Sequence, residues 1–305
     1  MKKFLLKLLL FLTCVVVMDF VFGLTFSWLR GHAKGGSTAN CEYIANRAND
    51  DVVILGSSRA THHYVPQIIE DSLGMSCYNC GEEGNGIVLA YGRYKMLTNR
   101  YKPKLVIYEI TPGYDYGAKD PNSKYLGYLR PYYRLDGIKE IFDDFDSSFS
   151  SLKMSFAMYR NTSRLFPNVI DNIIQRDNHK GFAPLYGKID ISSITKEKET
   201  LVIDSLKLLY LERIIIDAQK SDIPIVFIIS PAYGGVNDIS IFDPALQMCA
   251  KHGILVLNYL NYSKIATNAI YFNDILHMNE SGAIEYTQVV INDLLNNTNL
   301  IDERL

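Results

Sequence analysis

The run Val52-Val53-Ile54-Leu55 stops abruptly at Gly56-Ser57-Ser58-Arg59. Four apolar residues in a row, three of them β-branched, followed by a turn signal, predict a strand buried on both faces, as in a parallel sheet. Gly56 lets the backbone turn tightly beside a hydroxyl. A helical pattern then begins near Val65-Pro66, with the proline suited to a first helical turn, and stops at Gly74. The alternation continues with a strand over 76–79, a helix over 87–100 and a strand over 104–110. A β-α-β-α-β order implies a parallel sheet with right-handed crossovers. After residue 200 come a helix over 201–220, a strand over 223–229, a helix over 243–252 stopped by Gly253, a strand over 254–258 and a last helix from Asn279 to about 296. The expected fold class is α/β: a three-layer α/β/α sandwich around a central parallel sheet of about five strands.

Residues Phe4 to Trp28 are the most hydrophobic segment, and Lys2, Lys3 and Lys7 precede or enter it. A cytoplasmic amino end followed by export of the remainder is the expectation. Residues 1–30 read as an uncleaved signal anchor, because the segment can span a bilayer and Val21-Phe22-Gly23 is a poor cleavage site. The competing reading is a signal peptide, since Asp19 is costly in a membrane and leaves an uninterrupted core only from Leu8 to Met18. Residues 31–48 read as a linker with a short helix near 42–47, 49–298 as the α/β domain, and 299–305 as a tail. With 21% charged residues and a net charge of −2, the chain has no nucleic-acid footprint.

From 117 to 199 the pattern breaks into a Tyr-, Asp-, Ser- and Asn-rich stretch with helical pieces near 135–142 and 165–174. It leaves the core just after the third strand and reads as an inserted lid. Tyr114, Tyr116, Tyr125, Tyr128, Tyr132 and Tyr133 either stack on sugar rings or pack the insertion itself. Cys77 and Cys80 form a C-x-x-C that lacks the helix-start position of a redox motif and the second pair of a zinc site. Cys41, Cys80 and Cys249 could pair in an oxidising compartment, but buried free thiols are the default. No metal constellation, phosphate loop or cofactor motif is visible, so no cofactor is expected.

Far downstream, Asp274-Ile275-Leu276-His277 places a carboxylate and an imidazole three residues apart, just before the last helix. Such an Asp can orient the His, and the His can take a proton from a serine. Gly56-Ser57-Ser58 and Asp274-x-x-His277 together resemble the first and last sequence blocks of the SGNH/GDSL hydrolase superfamily. Tyr78-Asn79-Cys80-Gly81-Glu82-Glu83-Gly84-Asn85-Gly86 resembles its second block. The third block departs. The strand Leu105-Val106-Ile107-Tyr108-Glu109-Ile110 is followed by Thr111-Pro112-Gly113-Tyr114-Asp115, with Tyr114 or Asp115 where the family has an asparagine.

The resemblance implies Ser58 as nucleophile, with Ser57 as the alternative one residue away. It implies His277 as base, Asp274 as its orienting carboxylate, and the N–H groups of Ser58 and Gly84 as oxyanion donors. His62 and His63 are rival bases. Ser57, Arg59, His62, Asn85, Tyr114 and Asp115 are candidate cleft residues, with Arg59 read first as an ion-pair partner. The departure in the third block resembles that of membrane-tethered envelope acylation proteins, of the teichoic acid D-alanyl transfer and alginate O-acetylation types. The implied activity is ester cleavage or acyl transfer on O-acyl groups of envelope or extracellular polysaccharide. Expected partners are an acylated carbohydrate, the cytoplasmic membrane and a membrane acyltransferase. A non-catalytic carbohydrate-binding or scaffold protein on the same fold is the contrasting expectation.

Overall fold

The computed structural model describes residues 1–118, 123–145, 151–193, 201–235 and 238–297. At its centre lies a five-stranded parallel sheet in the order β2-β1-β3-β4-β5. The strands are β1 (Val52–Gly56), β2 (Cys77–Asn79), β3 (Leu105–Glu109), β4 (Ile225–Ile229) and β5 (Val256–Asn258). Successive residues face opposite sides. Val53, Leu55, Val106, Tyr108 and Phe227 enter one apolar layer, and Val52, Ile54, Ile107, Val226 and Ile228 enter the other. Helices cover both layers, which is why the strands read as continuous apolar runs.

Ahead of the sheet come α1 (Lys2–Gly31) and α2 (Gly36–Asn46). α3 (Ser58–His63) and α4 (Pro66–Leu73) follow β1, and α5 (Ile87–Thr98) follows β2. Between β3 and β4 lie α6 (Pro112–Asp115), α7 (Ser123–Leu126), α8 (Ile138–Phe145), α9 (Ser151–Ser155), α10 (Ala157–Thr162), α11 (Leu165–Ile173) and α12 (Ser205–Lys220). α13 (Asp243–Lys251) leads into β5, followed by α14 (Ser263–Ala266) and α15 (Glu280–Asn296). α3, α4 and α15 cover the smaller layer through Ala60, Ile69, Tyr286 and Val290, while α2, α5, α12 and α13 cover the larger one. The helices after β1 and after β2 thus lie on opposite faces. The strand order reverses between β1 and β3, and such a reversal opens a crevice at the carboxyl ends of those strands.

Several elements differ from the sequence expectation. A helix already begins at Ser58, ahead of the one at Pro66. Its six residues, Ser-Arg-Ala-Thr-His-His, carry no apolar periodicity, so pattern alone hides it. The expected linker contains α2, which buries Cys41, Ile44 and Ala45 in the larger layer. The candidate sugar-stacking tyrosines mostly belong to the core. Tyr116, Tyr125, Tyr132 and Tyr133 are buried, and Tyr114 and Tyr128 pack against the same layer. α7 and α8 pack on α5, and α10 and α11 on α1. The return stretch 181–189 reaches the crevice, where Ala183 N–H donates to the Thr61 carbonyl and Glu280 N–H to the Leu185 carbonyl.

All five cysteines are free, with Cys14 exposed and the other four buried. Burial pushes the Cys80 and Cys249 thiols up to about 12, so neither is a ready nucleophile. α1 is 30 residues long and apolar enough to cross a membrane.

Candidate active site

β1 delivers its serines by a turn that only glycine allows. Gly56 has φ of +143°, and a Cβ there would stand 2.8 Å from the Glu109 carbonyl oxygen of the neighbouring strand. The chain then enters α3 with Ser57 as N-cap and Ser58 as first helical residue. Ser58 Oγ lies 2.7 Å from His277 Nε2. On the other side of the ring, His277 Nδ1 lies 2.9 and 3.1 Å from the two Asp274 carboxylate oxygens. Nδ1 must donate to a carboxylate, so Nε2 is left as acceptor for the Ser58 hydroxyl. Asp274 also accepts the backbone N–H groups of Leu276 and His277 at 2.8 and 2.9 Å. Partial burial alone would push its carboxyl up. The hydrogen bond and charge of His277, together with those N–H groups, outweigh burial and hold it at about 2.

The loop carrying Gly84 is tied to α3. Asn79 Oδ1 accepts the Gly81 N–H at 3.0 Å, while its Nδ2 donates to the Ala60 carbonyl at 2.7 Å. Arg93, buried on α5, donates to the Cys80 and Gly81 carbonyls at 2.7 and 2.9 Å and pairs with Glu82. Gly84 sits at φ of +64° with nothing within 4 Å of where a side chain would begin. The N–H groups of Ser58 and Gly84 bond to no group among the described residues. Both are therefore available as donors, Ser58 because a helix leaves its first N–H groups unpaired.

A buried polar cluster lies under this array. His63 Nε2 accepts the Met278 N–H at 3.0 Å, so its Nδ1 carries the proton and donates to Ser230 Oγ at 2.7 Å. Burial, reinforced by the nearby Arg59 charge, pushes the His63 imidazole well below its ordinary value and keeps it neutral. Ser230 Oγ donates to Glu109 at 2.6 Å, and Arg59 Nε lies 3.3 Å from the same carboxylate. Tyr64 completes the set by donating to the second Glu109 oxygen. Glu109, Ser230 and His63 are fully buried. The cluster grips the backbone of Met278, the residue after His277, and so holds the imidazole against Ser58.

The other candidate residues divide. His62 reaches the site: its ring meets that of His277 edge to face at 5.6 Å, its Nδ1 donates to the Ala183 carbonyl at 2.6 Å, and its Nε2 lies 2.8 Å from Glu83. The His62 hydrogen bond, partly offset by burial, pulls the Glu83 carboxyl down. Asn85 is buried beside it, donating to the Glu83 carbonyl at 2.8 Å. Ser57 Oγ is buried with no hydrogen-bond partner among the described residues and does not meet His277. Arg59 is not a cleft residue, because the Glu109 carboxylate draws it into the interior. Tyr114 packs its ring on the larger layer, with Lys124 over it at 5.9 Å.

Asp115 is not a cleft residue either. It is fully buried, accepts the Thr111 N–H at 2.6 Å and receives the Tyr108 hydroxyl at 2.7 Å. The block-three departure therefore spends its carboxylate on fixing the turn after β3. Burial, only partly offset by these hydrogen bonds, pushes its carboxyl up from 3.8 to about 7. A folded-state value above the unfolded one means that folding favours the protonated form. Its contribution is intact below pH 3.8 and is lost as pH rises through about 7. Urea unfolding across that window should show the stability of wild type relative to Asp115→Asn falling as pH rises. An unchanged slope in the variant would contradict this assignment.

Neither a family model nor a curated protein matches the sequence. Among solved structures, the chain is similar to a protein assigned to the lipolytic G-D-S-L family from Desulfitobacterium hafniense DCB-2, at 11% identity and TM-score 0.40 over 79% of this chain and 98% of that one. It is similar to an α/β hydrolase from the metagenome of Lake Arreo, Spain, at 13% identity and TM-score 0.44 over 85% and 99% of the two chains. A gut microbial diltiazem-metabolizing enzyme is matched at 11% identity and TM-score 0.40, over 80% of this chain and 46% of that one.

Proposed function

We propose that this protein is a serine-dependent esterase or acyltransferase of SGNH type acting on O-acyl groups of carbohydrate. The observation that carries the reading is the continuous hydrogen-bonded chain Ser58–His277–Asp274. In this reading His277 takes the Ser58 proton as Oγ attacks the acyl carbonyl, and the imidazolium that forms is stabilised by ionised Asp274. The N–H groups of Ser58 and Gly84 hold the oxyanion. His277 then returns the proton to the departing sugar oxygen, leaving acyl-Ser58. Water completes an esterase cycle, and a second sugar hydroxyl completes a transferase cycle. Tyr186, exposed on the stretch that crosses the crevice, offers an aromatic face for a sugar ring.

The setting proposed is the outer side of the cytoplasmic membrane, with α1 as a retained anchor. Lys2, Lys3 and Lys7 at its start support a cytoplasmic amino end, and a membrane acyltransferase supplying acyl groups is the partner such a site would serve. The test is acetate release from O-acetylated polysaccharide by the full chain in detergent. Release that disappears in Ser58→Ala is expected. Release that persists at the wild-type rate in that variant would refute the reading.

A further inference from the structure

α11 carries its polarity inside out. Asn168 and Asp171 are 1% and 3% exposed, turned against the start of α2. There Asp171 accepts the Thr38 N–H at 3.1 Å, and the Thr38 hydroxyl donates to Asn168 at 3.1 Å. The outer face is Phe166, Val169, Ile170 and Ile173, at i, i+3, i+4 and i+7, with Phe166 76% and Ile173 72% exposed. Leu152 on α9 and Met158 on α10 are also exposed apolar residues. A helix that buries its polar residues and shows water an apolar stripe marks an interaction surface.

Its surroundings identify the occupant. α10 and α11 pack along the C-terminal half of α1, where Asn172 donates to the Leu29 carbonyl at 2.8 Å. A hydrocarbon core takes about 20 helical residues, and on α1 such a window contains Asp19. A carboxylate at that depth is costly. Here Asp19 accepts the N–H groups of Ala157 and Met158, at 2.9 and 2.8 Å, from the start of α10. Keeping that contact holds α10, and α11 beside it, at the edge of any bilayer that α1 enters. Residues 151–176 carry Lys153, Arg160, Arg164 and Arg176 against the single acid Asp171, in a chain whose net charge is −2. A basic segment with an exposed apolar face fits an anionic lipid surface.

We propose that α9–α11 form an interfacial membrane surface, with the apolar stripe of α11 seated at the headgroup–acyl boundary of the anionic bilayer that α1 spans. The proposal rests on the reading of α1 as a membrane helix. It gives the insertion the role of fixing the crevice at a set height and tilt above the bilayer.

The chain has one tryptophan, Trp28, which makes fluorescence depth measurement direct. Three full-length variants, each also carrying Trp28→Phe, would place the single indole by Phe11→Trp in α1, Phe166→Trp in α11 or Leu295→Trp in α15. Each is reconstituted in vesicles of phosphatidylcholine and phosphatidylglycerol with or without brominated acyl chains. Brominated lipid should remove most emission from the Phe11→Trp and Phe166→Trp chains and spare the Leu295→Trp chain. Aqueous iodide should quench only the last. If the Phe11→Trp chain is quenched by lipid while the Phe166→Trp chain is quenched by iodide instead, α1 inserts and the proposal fails. If the Phe166→Trp chain is shielded from both quenchers, a protein surface covers α11 and the proposal also fails. If the Phe11→Trp chain is untouched by brominated lipid, the membrane reading of α1 fails and takes the proposal with it.

Discussion

Ser58→Ala is expected to lower turnover of a small activated ester by about 10³-fold or more, because the attacking oxygen is lost while fold and crevice remain. His277→Ala should cost about as much, since a serine hydroxyl without its base is a poor nucleophile. Ser58 and His277 meet at 2.7 Å and act as one unit in the proposed mechanism, so the double variant should be little worse than either single one. Asp274→Asn should cost less, because the ring keeps a hydrogen-bond partner but loses the charge that stabilises the imidazolium. His62→Gln provides the contrast. Its ring lies beside His277 and bonds Ala183 and Glu83, with no bond to Ser58, so its loss should act mainly on KM. Steady-state kinetics with thermal unfolding of each variant decide the matter. A His277→Ala enzyme of near-normal turnover, beside a crippled His62→Gln enzyme, would move the base to the wrong histidine.

Glu109→Ala should produce the largest loss of stability, roughly 3–5 kcal/mol, because it strands the buried Arg59 guanidinium without its counter-charge. It also removes the acceptor of the Ser230 and Tyr64 hydroxyls. Arg59→Met combined with Glu109→Leu should recover part of the loss, since the remaining penalty is then two buried hydroxyls and no unpaired charge. Denaturant unfolding measures both variants. A Glu109→Ala protein within about 1 kcal/mol of wild type would mean that water reaches this cluster and that the ion pair contributes little.

The centre of the sheet was legible because β1, β3 and β4 are short buried runs rich in β-branched residues, each fully buried along its length. Ser58 and His277 could be paired across 219 positions because each lies where a strand or loop meets a helix at the sheet's carboxyl edge. What lies beneath them was not legible. Glu109 reads as one more residue of an apolar strand, and His63 as a neighbour of His62; only tertiary packing turns one inward to Ser230 and the other outward to Glu83. Asp115 was misplaced for the same reason, whereas Arg59, read first as an ion-pair partner, has that partner in Glu109. Residue type says that a charge needs a partner, whereas the direction of the side chain decides whether that partner is substrate or protein. The tyrosines in and just before the insertion show the limit of composition: aromatic rings suit a sugar platform and a core equally, and Tyr116, Tyr125, Tyr132 and Tyr133 went to the core. Asp19 looked like a flaw in a membrane helix because its partners, the N–H groups that open α10, lie 138 and 139 residues away.

The most direct measurement is reaction of the full chain with a fluorophosphonate, followed by intact mass and peptide mapping. An activated serine displaces the leaving group at phosphorus and keeps the phosphonyl group, whereas ordinary surface serines do not react. The account predicts a single adduct on Ser58, lost in Ser58→Ala and in His277→Ala. An adduct on Ser57, or a wild-type protein that stays unmodified while folded, would contradict it.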